Sequence, residues 1–144
     1  MCICEVLRCI YSSHLCSMNN LIKTGAVLAA IAVILGAFGA HKLKELIDER
    51  ALANWETGVK YQMYHALGIV LAGIIYSQTN LKNAVTSSRL FLAGILFFSG
   101  SLYLLSLRNI LPLNVLWLGP VTPIGGVFFI LGWLRLMVSE NTKN

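Results

Sequence analysis

Four long apolar stretches, separated by short polar ones, organise the chain. They run from about Leu21 to Ala40, from Tyr61 to Gln78, from Arg89 to Leu107, and from Leu113 to Val138. None alternates with a period of two, as a barrel strand does, so each reads as a helix. A bilayer core takes about 20 apolar helical residues, within about 17–25. The first three stretches fit one crossing each. In or just before the fourth fall Pro112, Pro120 and Pro123, which lack an N–H and crowd the preceding turn, so it is broken. Thr122 followed by Pro123 reads as an N-cap and first helical residue. The pattern therefore predicts spans at 21–40, 61–78, 89–107 and 123–138, with 112–121 irregular or re-entrant. That is an all-α, integral membrane four-helix bundle.

The link between the first two spans has its own pattern. In LKELIDERALANWETGV, Leu43, Leu46, Ile47, Ala51 and Trp55 follow helical spacing, while most charges fall off that stripe. An amphipathic helix lying in the interface plane is expected there, with Trp55 at headgroup depth. Small residues also recur at helical intervals. Ala32, Gly36 and Ala40 form one seam. Gly68 and Ala72 continue a seam containing His65. Ala93 with Gly100, and Gly94 with Ser101, line the third helix; Gly125 and Gly132 align on the fourth. Lipid gives no hydrophobic drive between helices, so these seams predict close helix packing. Ser99 and Ser101 lack the G-x-S-x-G setting of a nucleophile and read as interhelical hydrogen-bond donors.

Composition supports the membrane reading. The chain is 57% hydrophobic and 12% charged, against about 25% charged in soluble domains, too few to clothe a water-facing surface. The net charge of +5 comes from basic residues scattered between apolar runs. They suit lipid-phosphate anchors and not nucleic acid. Their tally on the two sides is nearly tied and leans slightly to cytoplasmic termini. Cys2, Cys4, Cys9 and Cys16, with His14, follow no zinc spacing. Met18 leads into a short polar start and an apolar run, so residues 1–17 read as a tail without structure or a wrongly assigned start. Residues 18–144 are then the single domain. The first run exceeds the about 7–15 residues of a signal-peptide core, which argues against cleavage after AFGA.

His41 and His65 are the candidate site. An ionisable residue inside a span is a functional hypothesis by default. With helix two starting near His65, both histidines fall on one side, and neighbouring helices at about 8–10 Å bring them within about 10 Å. Such a pair could share a proton, hold a metal, or contact a quinone or haem. The structural alternative has His41 at headgroup level, complementing the helix dipole, and His65 bonded to a neighbouring helix. A metal needs a third ligand, and nothing singles one out among Glu45, Asp48, Glu49 and Glu56. The spans contain no carboxylate, and no HExxH or phosphate-binding glycine loop occurs.

The segments GAFGAH (36–41), YQMYHAL (61–67), FFSGSLYLLSL (97–107) and TPIGGVFFILGW (122–133) occur in that order. Together they resemble the bacterial membrane family catalogued as domain of unknown function 423, to which the animal transmembrane protein 256 family looks related. The resemblance covers about Leu21 to Val138; residues 1–17 have no counterpart in it. Its recurrent positions match Gly36, Gly39, His41, Gln62, His65, Ser99, Gly100, Pro123, Gly125, Gly126 and Trp133. It implies a small integral membrane protein of about four helices and brings no activity, substrate or cofactor. The expectation is a non-enzymatic, multi-pass inner-membrane protein that acts by packing, by assembly with another copy or a membrane partner, or by small-solute passage. The alternative is a redox, metal or cofactor-binding protein using His41 and His65, its cofactor unknown.

Overall fold

The computed structural model describes residues 3–79, 82–110 and 115–138, with side chains from Asn19 onward except Thr79 and Leu116. The cysteine tract with His14 and the segment containing Pro112 lie outside the described side chains. Four helices follow one another: α1 (Ile3–His41), α2 (Glu49–Thr79), α3 (Lys82–Ser106) and α4 (Val121–Met137). Single 3-10 turns stand at Leu43–Glu45 and Leu116–Leu118. Asn19–Glu45 and Lys82–Ser106 are long and apolar enough to cross a bilayer, and Val121–Met137 is a shorter apolar helix.

The expected interfacial helix is not a separate element. Leu43–Glu45 forms one 3-10 turn, and residues 49–60 are the first turns of α2 itself. The restart is local chemistry: the Ala51 N–H donates to Asp48 Oδ1 at 2.8 Å, an N-terminal cap. Trp55 is turned into the protein and not out to lipid headgroups. It is 4% exposed, and its indole N–H donates to Leu35 O at 3.0 Å. Its ring sits 4.7 Å from that of Tyr103 and 5.9 Å from that of Phe38. The fourth helix also begins earlier than its sequence signal, at Val121 after Pro120. Thr122 is not its cap; its hydroxyl pairs with Ser101 Oγ at 2.7 Å. Pro123 is the third helical residue, where the missing N–H leaves no intrahelical bond unmade.

The helices form two antiparallel pairs. In the first, Gly39 of α1 meets Trp55 of α2, and Gly73 of α2 meets Ile22 near the opposite end. In the second, polar rungs tie α3 to α4: Asn83 Nδ2 donates to Val138 O at 2.8 Å, Ser87 Oγ to Gly132 O at 2.7 Å, and Ser101 meets Thr122. Ser99, expected to donate between helices, keeps a buried hydroxyl without a partner among the described residues. A π-helical turn at Ile95–Ser99, closed by the Gly100 N–H on Ile95 O, brings both Ile95 and Ser99 to the buried side of α3. Helix α2 packs on α1 and on α3, joining the pairs. Gln62 is the polar clasp: its Nε2 donates to Leu28 O at 2.9 Å, and its Oε1 accepts from the Tyr103 hydroxyl at 3.0 Å.

Five of the glycines receive aromatic rings at close range. A Cβ at Gly132 would stand 2.6 Å from the Phe91 ring, at Gly39 2.8 Å from Trp55, and at Gly58 2.8 Å from Tyr103. Gly94 lies under Phe129, and Gly68 under the other edge of Phe91. Gly125 instead faces the Phe98 backbone. Ala32 and Ala72 are fully buried, and Gly36 lies against Val59. Ala40 is exposed, and its neighbour Gly39 makes the contact with α2. The nearest atom to a Cβ on Gly100 would be its own helix's Ile95 O, at 4.0 Å.

Two consequences can be measured by unfolding in detergent. Gly125→Ala drives a methyl into the Phe98 backbone, which cannot move aside, and should cost about 3 kcal/mol, the upper end of overpacking penalties. Gly126→Ala meets only the Phe98 ring edge at 3.9 Å and should be close to neutral. Equal melting of the two variants would contradict this α3–α4 contact. Tyr103→Phe should cost about 1 kcal/mol by leaving Gln62 Oε1 unpaired, and adding Gln62→Leu should cost little more. Strict additivity in that cycle would mean the clasp carries no coupling.

Candidate functional site

His65 lies sixteen residues after Glu49 and fourteen before Thr79 in α2. Its neighbours fix its depth. Gly25 of α1 faces Ala66, and the imidazole stacks on Phe129, which is eight residues from either end of α4. His65 is therefore level with the middle of α4 and lies within the apolar run of α1.

The two candidate histidines are not brought together. His41 ends α1 and is exposed. The nearby Gly39 packs on Trp55, ten residues along α2 from His65, about 15 Å at 1.5 Å per residue. The expected separation of about 10 Å assumed that helix two begins near His65. The early start of α2 carries His65 away from His41. Among the described residues no three His, Cys, Asp or Glu side chains come together as a metal site.

Around His65 the structure builds an aromatic stack. The imidazole and the Phe129 ring are nearly parallel, 9° apart, with centroids at 3.4 Å. Phe91 and Trp133 approach it tilted, at 5.4 and 6.1 Å. Nδ1 lies 2.7 Å from Tyr61 O. A carbonyl only accepts, so Nδ1 carries the hydrogen and donates. Nε2 has no hydrogen-bond partner among the described residues. It is also not one of the sealed, unpartnered polar atoms found there, which are Asn83 Oδ1 and Ser99 Oγ.

The stack floors a groove of about 610 Å³ between α2 and α4, lined by Tyr61, Tyr64, His65, Phe98, Gly126, Phe129, Ile130 and Trp133. His65 and Phe129, 5% and 3% exposed, form its floor. Tyr64, Ile130 and Trp133 stand exposed at its mouth. No lining residue is charged. The sequence singled out His65, and the family resemblance Gly126 and Trp133, but neither pointed to Phe129 or to the groove these residues line. The available signal was the helical spacing of Gly126, Phe129, Ile130 and Trp133 opposite Tyr61, Tyr64 and His65 on α2.

Comparison with known proteins points the same way as this helical, apolar architecture. The family described as "Protein of unknown function (DUF423)" matches residues 35–126. A UPF0382 membrane protein of Staphylococcus aureus is 45% identical over 122 residues, covering 85% of this chain and 95% of the relative. The UPF0382 membrane protein YwdK of Bacillus subtilis is 45% identical over 123 residues, 85% of this chain and 96% of its own. One from Staphylococcus saprophyticus is 46% identical over 121 residues, 84% and 96% of the two chains. No solved structure matches the chain. The family match and the near-full-length relatives agree: this is a membrane protein, and it belongs to the DUF423 family.

Proposed function

We propose that the chain is a non-enzymatic, multi-pass protein of the cell (inner) membrane that binds a membrane-dissolved apolar molecule in the groove between α2 and α4. The observation that carries this reading is the buried imidazole on the floor of an aromatic groove. Ionisable side chains are costly at membrane depth and are found there chiefly where they work. Multi-pass insertion is supported by the outward faces of the two less obvious helices. Leu67, Leu71 and Ile74 of α2 are exposed, as are Val127, Leu131 and Leu134 of α4. The polar Gln62 and His65 point inward. This reading keeps His65 from the paired-histidine alternative and gives His41 no part in the site.

Assembly is a second reading, favoured by α1. That helix packs principally on α2 and leaves Val27, Ile31, Val33, Ile34 and Phe38 exposed. A photo-crosslinking residue in place of Ile34 should give a discrete dimer or heteromer in intact membranes. Lipid adducts alone would remove this reading.

The groove reading is tested by filling the groove. Gly126 lines it, and a Cβ there meets nothing nearer than 3.9 Å, so Gly126→Leu should fold and project into the space. Solvent extraction and mass spectrometry of protein purified from membranes should find a stoichiometric apolar molecule. Gly126→Leu should lower its amount by about tenfold, a loss of roughly 1.4 kcal/mol of binding. Equal recovery from both proteins would overturn the reading.

A further inference from the structure

The hydrogen bonding of His65 selects the chemistry that the groove can take. We infer that its ligand is a membrane-dissolved aromatic molecule with a ring hydroxyl, a phenol or quinol head that donates its hydrogen to His65 Nε2. This rests on the groove reading and narrows it.

The first argument is the tautomer. Nδ1 carries the hydrogen because its partner, Tyr61 O, can only accept. A neutral imidazole protonated on Nδ1 offers Nε2 as an acceptor and nothing else. That atom has no partner among the described residues and is not sealed off. An unmet acceptor in an apolar belt is a standing cost that a hydroxyl hydrogen relieves. A quinone carbonyl, an ether or an ester has no hydrogen to give. Tyr61 and Tyr64 also line the groove, but a tyrosine hydroxyl both donates and accepts, so they set no preference. The discrimination belongs to His65.

The second argument is the wall. Five aromatic rings and an imidazole line the groove, so a flat ring finds faces and edges on every side. The volume of about 610 Å³ falls within the about 300–1,000 Å³ usual for small-molecule sites. It exceeds the volume of a bare ring, and the exposed mouth at Tyr64 and Ile130 leaves room for an apolar tail. No charged side chain lines the groove to offset a phosphate or carboxylate. A lipid acyl chain would fit the wall and leave Nε2 unmet.

The test compares para-nonylphenol with its methyl ether, in which a methyl group replaces the donor hydrogen. Binding to the full chain in nanodiscs is read by quenching of tryptophan fluorescence that is absent in Trp133→Phe. The phenol should bind about tenfold more tightly than the ether. His65→Phe, which keeps a ring over Phe129, should remove the difference by weakening phenol binding. In the unmodified protein, the nitrogen NMR resonance of His65 Nε2 should move with the phenol and stay with the ether, so the inference does not depend on the variant folding. Equal binding of phenol and ether to the unmodified protein would overturn the hydroxyl assignment while leaving the groove reading intact. A phenol preference that persists in folded His65→Phe, or an unmoved Nε2 resonance, would move the contact to the tyrosines and overturn the role of His65. Failure of both compounds to bind would remove the groove reading and this inference with it.

Discussion

Aromatic rings seated over glycines are the contact on which the rest of this bundle depends. Between helices in lipid there is little hydrophobic drive, so association rests on how closely atoms fit. A ring against a bare backbone gives a broad, close contact with few rotamers to freeze. Phe91 of α3 is the clearest case: it reaches Gly132 of α4 on one edge and Gly68 of α2 on the other, and so joins three helices. Phe129 enters over Gly94, and that position lets His65 lie flat upon it. The candidate site is thus a by-product of the packing rule: the rings that hold the helices also floor the groove.

Polarity is distributed accordingly. Helix α2, which joins the two pairs, carries Gln62 and His65 with protein around them. Each finds an internal acceptor, Leu28 O for Gln62 and Tyr61 O for His65. The α3–α4 pair is held by side-chain donors on backbone carbonyls and by one serine–threonine pair, at both ends and along its length. The segments long and apolar enough to cross a bilayer, in α1 and α3, need not be the centre of the structure, and α1 stands at its flank. High hydropathy marks the surface a helix shows to lipid, whereas a central helix can be more polar because its neighbours satisfy it.

The histidines gain separate meanings from this arrangement. His41 closes α1 in an exposed position, as a residue at a helix terminus does. His65 has its ring orientation set from two directions, by the stack on Phe129 and by the bond to Tyr61 O. A side chain held that firmly presents its remaining nitrogen in a defined direction. Preorganisation of this kind distinguishes a binding contact from a polar residue that merely finds a partner. The family of this chain brings no activity to set beside that geometry, so the argument for a ligand rests on His65 and its groove.

The sequence by itself determined the class, the four apolar runs and the family. Continuous apolar runs, scarce charge and four ordered motifs are local signals, and each survives without knowledge of what packs on what. It also marked several interior small residues, because 3.6-residue periodicity puts them on one face: Ala32, Ala72 and Gly132 are buried. Tertiary structure alone decided three things. Trp55 became interior because a tryptophan beside a charged stretch reads the same whether it meets headgroups or, as here, Gly39 and Tyr103. Ala40 gave way to Gly39 because the phase of a helix is set by its partner, and one position of rotation exchanges buried for exposed. The histidine pair dissolved because its distance hung on where α2 begins. That start is fixed by one cap at Asp48 and by the packing of residues 49–60 against α1 and α3, which no periodicity within the segment reveals.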